Sequence, residues 1–246
     1  MMRTANPALN SKTFLSLPYV TDQSMTLQGT TNKTIILLIL AVLAAGYTWE
    51  MALGWEPARV TPWIVGGLLG GLVVGIITAF KKHLAPYTAP LYAVLEGLFL
   101  GGVSARFESS YPRIVFQAVA LTFGTLFCLL LVYKTRLIWP TENFKLGVFA
   151  ATGGIGLFYF AILILNLLHI DTGFALASSP LSIGISLFIV IIAALNLVLD
   201  FDFIESGVAL GAPRYMEWYA AFGLLVTLVW LYLEILRLLV KLRDRR

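Results

Sequence analysis

Three carboxylates, Asp200, Asp202 and Glu205, fall within six positions at the end of the apolar run LNLVLDFDFIE. Glu234 sits in WLYLEILRLL and Glu96 in LYAVLEGLFLGG. Carboxylates embedded in apolar runs do one of three jobs. They carry protons, they offer oxygen ligands to a hard cation, or they face water at a helix end. A charge at mid-bilayer depth costs at least ~2.5–3.5 kcal/mol on insertion scales, so each of these groups needs a partner, water or a proton.

Helical spacing separates them. Asn196 and Asp200 are four apart and share a face, whereas Asp202 points roughly 200° away and Glu205 lies about a turn beyond it. Asp200 is therefore the inward candidate. Asp202 and Glu205 read as groups facing headgroups or a loop. Thr227, Trp230 and Glu234 also share a face, and Arg237 follows Glu234 at i+3. Glu234 either pairs with Arg237 within its helix or faces the interior and meets another acid. Glu96 is either a neutral acid hydrogen-bonded to a neighbouring helix or a further functional group. Two carboxylates brought together in low dielectric cannot both ionise cheaply, so such a pair shares a proton and acts as a latch. An all-oxygen ligand set suits Ca²⁺ better than a softer metal.

The elements that must position these groups are membrane helices. The chain has 246 residues, 59% hydrophobic and 12% charged, with a mean hydropathy of +0.87. Soluble domains carry roughly twice that share of charge. Seven segments are long enough to span, about Thr34–Leu53, Pro62–Phe80, Ala89–Ala105, Ile114–Tyr133, Leu146–Leu165, Leu181–Ile204 and Tyr215–Val240. Backbone groups in lipid must be satisfied within the segment, so the expected class is an all-α membrane protein with seven transmembrane helices. Residues 1–33 are expected to form a mobile N-terminal tail and residues 34–246 one transmembrane domain. Small-residue pairs such as Gly67/Gly71 and Gly97/Gly101 predict close helix packing. The run ATGGIG from Ala151 lies mid-span, without the Lys or preceding strand of a phosphate loop, and reads as packing too. With the N-terminus inside, Arg3, Lys12, Lys33, Lys81, Lys82, Lys134, Arg136, Lys145 and Arg214 fall on the cytoplasmic side, against Arg59, Arg106 and Arg113 outside. The basic C-terminus then lies outside, unless the last segment is re-entrant. Its length favours a full crossing.

Several classes are excluded or disfavoured. The net charge of +4 fits basic loops rather than nucleic-acid binding, because no basic stripe with interleaved aromatics stands outside the spans. HExxH, GxSxG and Walker patterns are missing, so no enzyme is expected. His83, His169 and the lone Cys128 are too scattered for zinc, and no resident cofactor is expected. A retinal pigment needs a lysine deep in a span, and Lys241 stands at the end of the last one.

LDFDFIE, followed by EWYAAFGLLVTLVWLYLEILRLL, resembles the Bax inhibitor-1 family, in its bacterial YccA-like branch. LYAVLEGLFLGGVSA and the NKT at the first span fit the same branch. The resemblance implies seven helices with the last one central, and an acid pair associated with pH-sensitive calcium leak. Asp200 matches the sixth-helix acid and Glu234 the seventh-helix acid, where the family pattern commonly has Asp. Glu96, Asp202, Asn196 and Arg237 are possible further members. Asp200 and Glu234 are also the expected Ca²⁺ ligands. A basic partner is implied, with Lys81 and Lys82 as candidates. The expected function is a proton-controlled, calcium-permeable channel-like protein in a bacterial inner membrane, its partners being lipid, Ca²⁺ and protons. The rival expectation is a non-conducting regulator that binds other membrane proteins.

Overall fold

The structure is a computed structural model that describes residues 24–54, 59–138, 140–169 and 179–245. Among these residues seven helices are long and apolar enough to cross a membrane. They are α1 (Leu27–Leu53), α2 (Val60–Phe80), α3 (Ala85–Ser110), α4 (Ile114–Lys134), α5 (Glu142–Leu167), α6 (Pro180–Ala209) and α7 (Met216–Asp244). A single 3₁₀ turn, Lys82–Leu84, joins α2 to α3. No strand is assigned among the described residues, as the all-α expectation requires.

The helices outrun the spans expected from hydropathy, and side-chain caps mark the starts of α1, α5 and α6. Thr26 accepts from the Gly29 N–H at 2.9 Å, so α1 starts at Leu27 rather than Thr34. That start lies within the segment assigned to the tail. Residues 1–23 of that segment lie outside the described residues. Ser179 caps α6 at Ser182, with Pro180 at the first turn. At its other end α6 continues past Ile204 to Ala209.

The last helix sits at the centre. Of its most apolar stretch 56% is buried, against 11% for α5. It packs on α6, α1, α4 and α3. Leu225 and Phe222 meet Leu37, Ala89 and Tyr92 on one side, while Leu228, Leu231 and Ile235 meet Ile114, Ala118 and Leu197 on the other. The last segment crosses fully rather than re-entering. On one face, here the near face, the Met25 N–H donates to the Ala212 carbonyl at 2.6 Å in the α6–α7 turn. On the far face, Tyr111 donates to Asp244 at 2.5 Å and Arg243 to the Pro112 carbonyl at 2.8 Å. The two ends of the described chain thus lie on opposite faces.

Glycine allows the closest helix approach where α3 meets α1. A Cβ on Gly97 would lie 2.3 Å from the Ala41 carbonyl oxygen, and one on Gly101 2.1 Å from that of Ala45. Gly67 of α2 meets the α3 backbone at Leu95 in the same way, at 2.6 Å. The ATGGIG run differs from expectation. It is helical, but a Cβ on Gly153, Gly154 or Gly156 would meet nothing within 4 Å, so the run meets α6 through Ala151, Thr152 and Ile155 and not through its glycines. Gly97→Leu is expected to lower stability by roughly 1–3 kcal/mol or more through overpacking, whereas Gly124→Ala, which faces open space, stays near the unaltered chain. Thermal unfolding in detergent checks both.

Candidate functional site

Polar side chains form rows along the helices that meet at the centre. On α6 the buried residues Ser182, Ser186, Ile189, Ala193, Asn196 and Asp200 follow a 4-3-4-3-4 spacing, the seam of a helix packed along its length. On α7, Thr227, Glu234 and Lys241 are buried at intervals of seven. On α5, Lys145, Thr152 and Tyr159 repeat at the same interval and reach the other two rows. The apolar residues between them carry the packing, so each polar group is delivered to a fixed depth.

Asp200 is the deepest acid. It is 1% exposed, and its Oδ2 has no hydrogen-bond partner among the described residues. The Thr227 hydroxyl of α7 lies beside its carboxyl. Hydropathy alone puts Asp200 near a span end. The extension of α6 to Ala209, and the pairing with Thr227 eleven residues into α7, put it well inside instead. Asn196, one turn away on the same face, donates to Thr152 Oγ1 at 2.9 Å and to the Ile192 carbonyl at 2.8 Å.

Glu234 resolves the alternative left open by spacing. Arg237 Nη1 donates to both its oxygens, at 3.0 and 3.1 Å, so the intrahelical pair forms. Tyr159 of α5 donates to the same oxygens at 2.8 and 3.1 Å, and Arg237 also donates to the Tyr159 hydroxyl. The guanidinium stands over the Tyr159 ring, 5.0 Å from its centroid. Glu234 and Asp200 do not meet. Glu234 lies seven residues beyond Thr227, about 10 Å along the axis at helical rise. The two acids therefore neither share one proton nor converge on one cation, and no group of three or more His, Cys, Asp or Glu among the described residues is placed to hold a metal.

The remaining candidates divide. Asp202 departs from its expected headgroup-facing position: Lys145 of α5 pairs with it at 2.7 Å, with the two side chains 5% and 17% exposed. The cause is the start of α5 at Glu142, which places Lys145 one turn in and toward α6. Lys145 also lies 3.5 Å from Glu142. Glu205 is exposed as expected and accepts from Tyr133 at 2.5 Å. Glu96 is buried, bonds to Tyr92 one turn back on its own helix rather than to a neighbour, and fits because Gly71 of α2 leaves room, where a Cβ would stand 3.1 Å from Oε2. Lys81 is exposed and Lys82 stands over the Tyr219 ring. Lys145 and Arg237 are the cations paired with Asp202 and Glu234 respectively.

Sequence reasoning overlooked a second node. Glu217, 2% exposed, accepts from the Thr26 N–H and hydroxyl at 2.9 Å each and pairs with Lys33, which also stands over Trp218. A Cβ on Gly29 would lie 2.1 Å from its Oε1, so a larger residue there would push the carboxyl out of its present position. This node fastens the start of α1 to the start of α7. Its one sequence signal is an acid in the first turn of a helix, which is ordinary in itself.

The Bax inhibitor 1 like family matches residues 6–244, nearly the whole chain. The chain belongs to the Bax inhibitor 1 like family. No curated protein and no solved structure matches it. For this member of the family, seven apolar helices and that match give a multipass integral membrane protein. Among the described residues Asp200 is the open carboxyl, while Asp202, Glu217 and Glu234 are charge-paired. Removing one partner of a buried ion pair leaves the other charge uncompensated, at about 3–5 kcal/mol for full burial. Lys145→Met is therefore expected to lower the unfolding temperature well below that of the unaltered chain, and Lys145→Met with Asp202→Leu to recover most of the loss. A double variant no better than the single one would show that the pair is not what Lys145 supports.

Proposed function

We infer that this protein is a pH-sensitive cation leak, permeable to Ca²⁺, with Asp200 as the group that the cation and the proton compete for. The single observation that carries the reading is the buried, unpartnered Asp200 Oδ2 beside Thr227. An isolated carboxylate at that depth is costly, and a proton or a cation is what satisfies it. A carboxyl oxygen next to a hydroxyl is a hard, oxygen-only beginning of a cation site, open to Ca²⁺ once other oxygens or water complete it. Protonation removes the ligand, so pH controls occupancy. Glu234 takes a different part from the paired-acid scheme. Held by Arg237 and Tyr159, it fixes the α5–α7 contact, and its release alters the leak without being the cation ligand. The reading assigns the protein no catalysis and no resident cofactor. It places it in a bacterial inner membrane, in a YccA-like branch, with its N-terminus cytoplasmic.

Purified protein in liposomes with an internal Ca²⁺ indicator tests this. Asp200→Asn keeps the size and removes the charge, and is expected to lose most of the flux and to flatten its pH dependence. Glu234→Gln is expected to change the rate while leaving a pH response. A non-conducting regulator that works through membrane-protein partners predicts no flux from the unaltered chain at any pH. Unchanged flux and pH response in Asp200→Asn would remove Asp200 from the path.

A further inference from the structure

Lys241 lies one turn beyond Arg237, toward the far end of α7, and is only 5% exposed. Its ammonium donates to Ser182 Oγ at 2.7 Å and Ser186 Oγ at 2.8 Å, with the Ser182 carbonyl at 3.5 Å. Three oxygens match the three donors of an ammonium. All three are neutral. Among the described residues no carboxylate lies within ion-pairing distance of Lys241, while Arg237 has both oxygens of Glu234. Of these two α7 cations, Arg237 is held in an ion pair with Glu234, and Lys241 has no ion-pair partner among the described residues. The serines lie in the first two turns of α6, whose N-terminal end carries positive partial charge. That field adds to the ammonium and does not offset it.

The position of Lys241 matters as much as its charge. It continues the α7 row at the interval of seven that links Thr227 to Glu234, so it shares the face that meets Asp200. It stands about 21 Å farther along the axis than Thr227. Ser182 and Ser186 continue the α6 row that contains Asp200. The same seam thus has an open carboxyl in its interior and a buried cation near its far end.

We propose that Lys241 is the electrostatic barrier that closes the far end of the α6–α7 seam to cations, with Ser182 and Ser186 holding its charge in place. This rests on the reading of the protein as a cation leak. A cation moving outward from Asp200 along the seam meets a like charge in low dielectric, where repulsion is least screened. A lysine that only anchored α7 to α6 would need the hydrogen bonds and not the charge.

The test uses the full chain in liposomes with an internal Ca²⁺ indicator. Lys241→Met and Lys241→Gln are expected to leak Ca²⁺ several-fold faster than the unaltered chain, and Lys241→Arg to stay close to it. Ser186→Asp approaches the question with the lysine kept, since a carboxylate beside the ammonium cancels its field, and it too is expected to raise the flux. Adding Asp200→Asn to Lys241→Met is expected to suppress the gain. If the unaltered chain leaks, and neither Lys241→Met nor Ser186→Asp leaks faster, the barrier is overturned and the leak reading stands. If the unaltered chain is silent and Lys241→Met opens it, the barrier is supported. If none of them passes Ca²⁺ at any pH, both ideas fall.

Discussion

Lipid tails are as apolar as leucine, so burying apolar surface gives membrane helices little reason to choose one neighbour over another. What selects neighbours is backbone contact at small residues and the need of polar side chains to find partners away from lipid. A helix carrying Thr227, Glu234 and Lys241 along one face cannot turn that face outward. This constraint places α7 at the centre, and the other helices are arranged by what they offer it. α6 brings Ser182, Ser186 and Asp200 to it. α5 brings Tyr159, α3 brings Ser104, 2.7 Å from the Tyr232 hydroxyl, and α1 brings Thr26 and Lys33.

The least buried helix illustrates the same rule. α5 has few buried side chains, and three of its inward positions are Lys145, Thr152 and Tyr159. They bond at three depths, to Asp202, Asn196 and Glu234. An apolar helix in contact with lipid on most of its surface is thus located by three polar bonds spaced seven residues apart, two to α6 and one to α7. The glycine run next to Thr152 fits this account, since a helix held by long polar side chains does not need close backbone approach there.

The span count, the helical class and the inward face of Asp200 were legible in the sequence because each follows from local rules, namely hydropathy, backbone satisfaction and helical period. Gly97 and Gly101 were legible for the same reason. The partners were not, because partnership depends on rotation and depth, which no single segment contains. Asp202 pairs with Lys145 only because α5 begins one turn before it. Tyr159, with no charge, gave no reason to be matched with Glu234. The depth of Asp200 was misjudged because hydropathy ends α6 at the last apolar residue, while the helix itself runs on to Ala209. The rows at intervals of seven on α5 and α7 were the signal that was present and unused.

Once the pairs are assigned, the contrast among the acids becomes informative. Glu217, Asp202 and Glu234 each have a cation, and Glu96 has a tyrosine hydroxyl. A bundle that satisfies four of its acids in this way shows that partners are within its means, so the open oxygen of Asp200 is not a general looseness of packing. Among the described residues the Thr227 hydroxyl is the neighbour that offers Asp200 a hydrogen bond, and Oδ2 has no partner. The opposite imbalance stands about four turns away at Lys241, where a cation has hydroxyls and no acid. An unmatched negative group in the interior and an unmatched positive group near the far end, on one seam, form an uneven charge profile across the bundle.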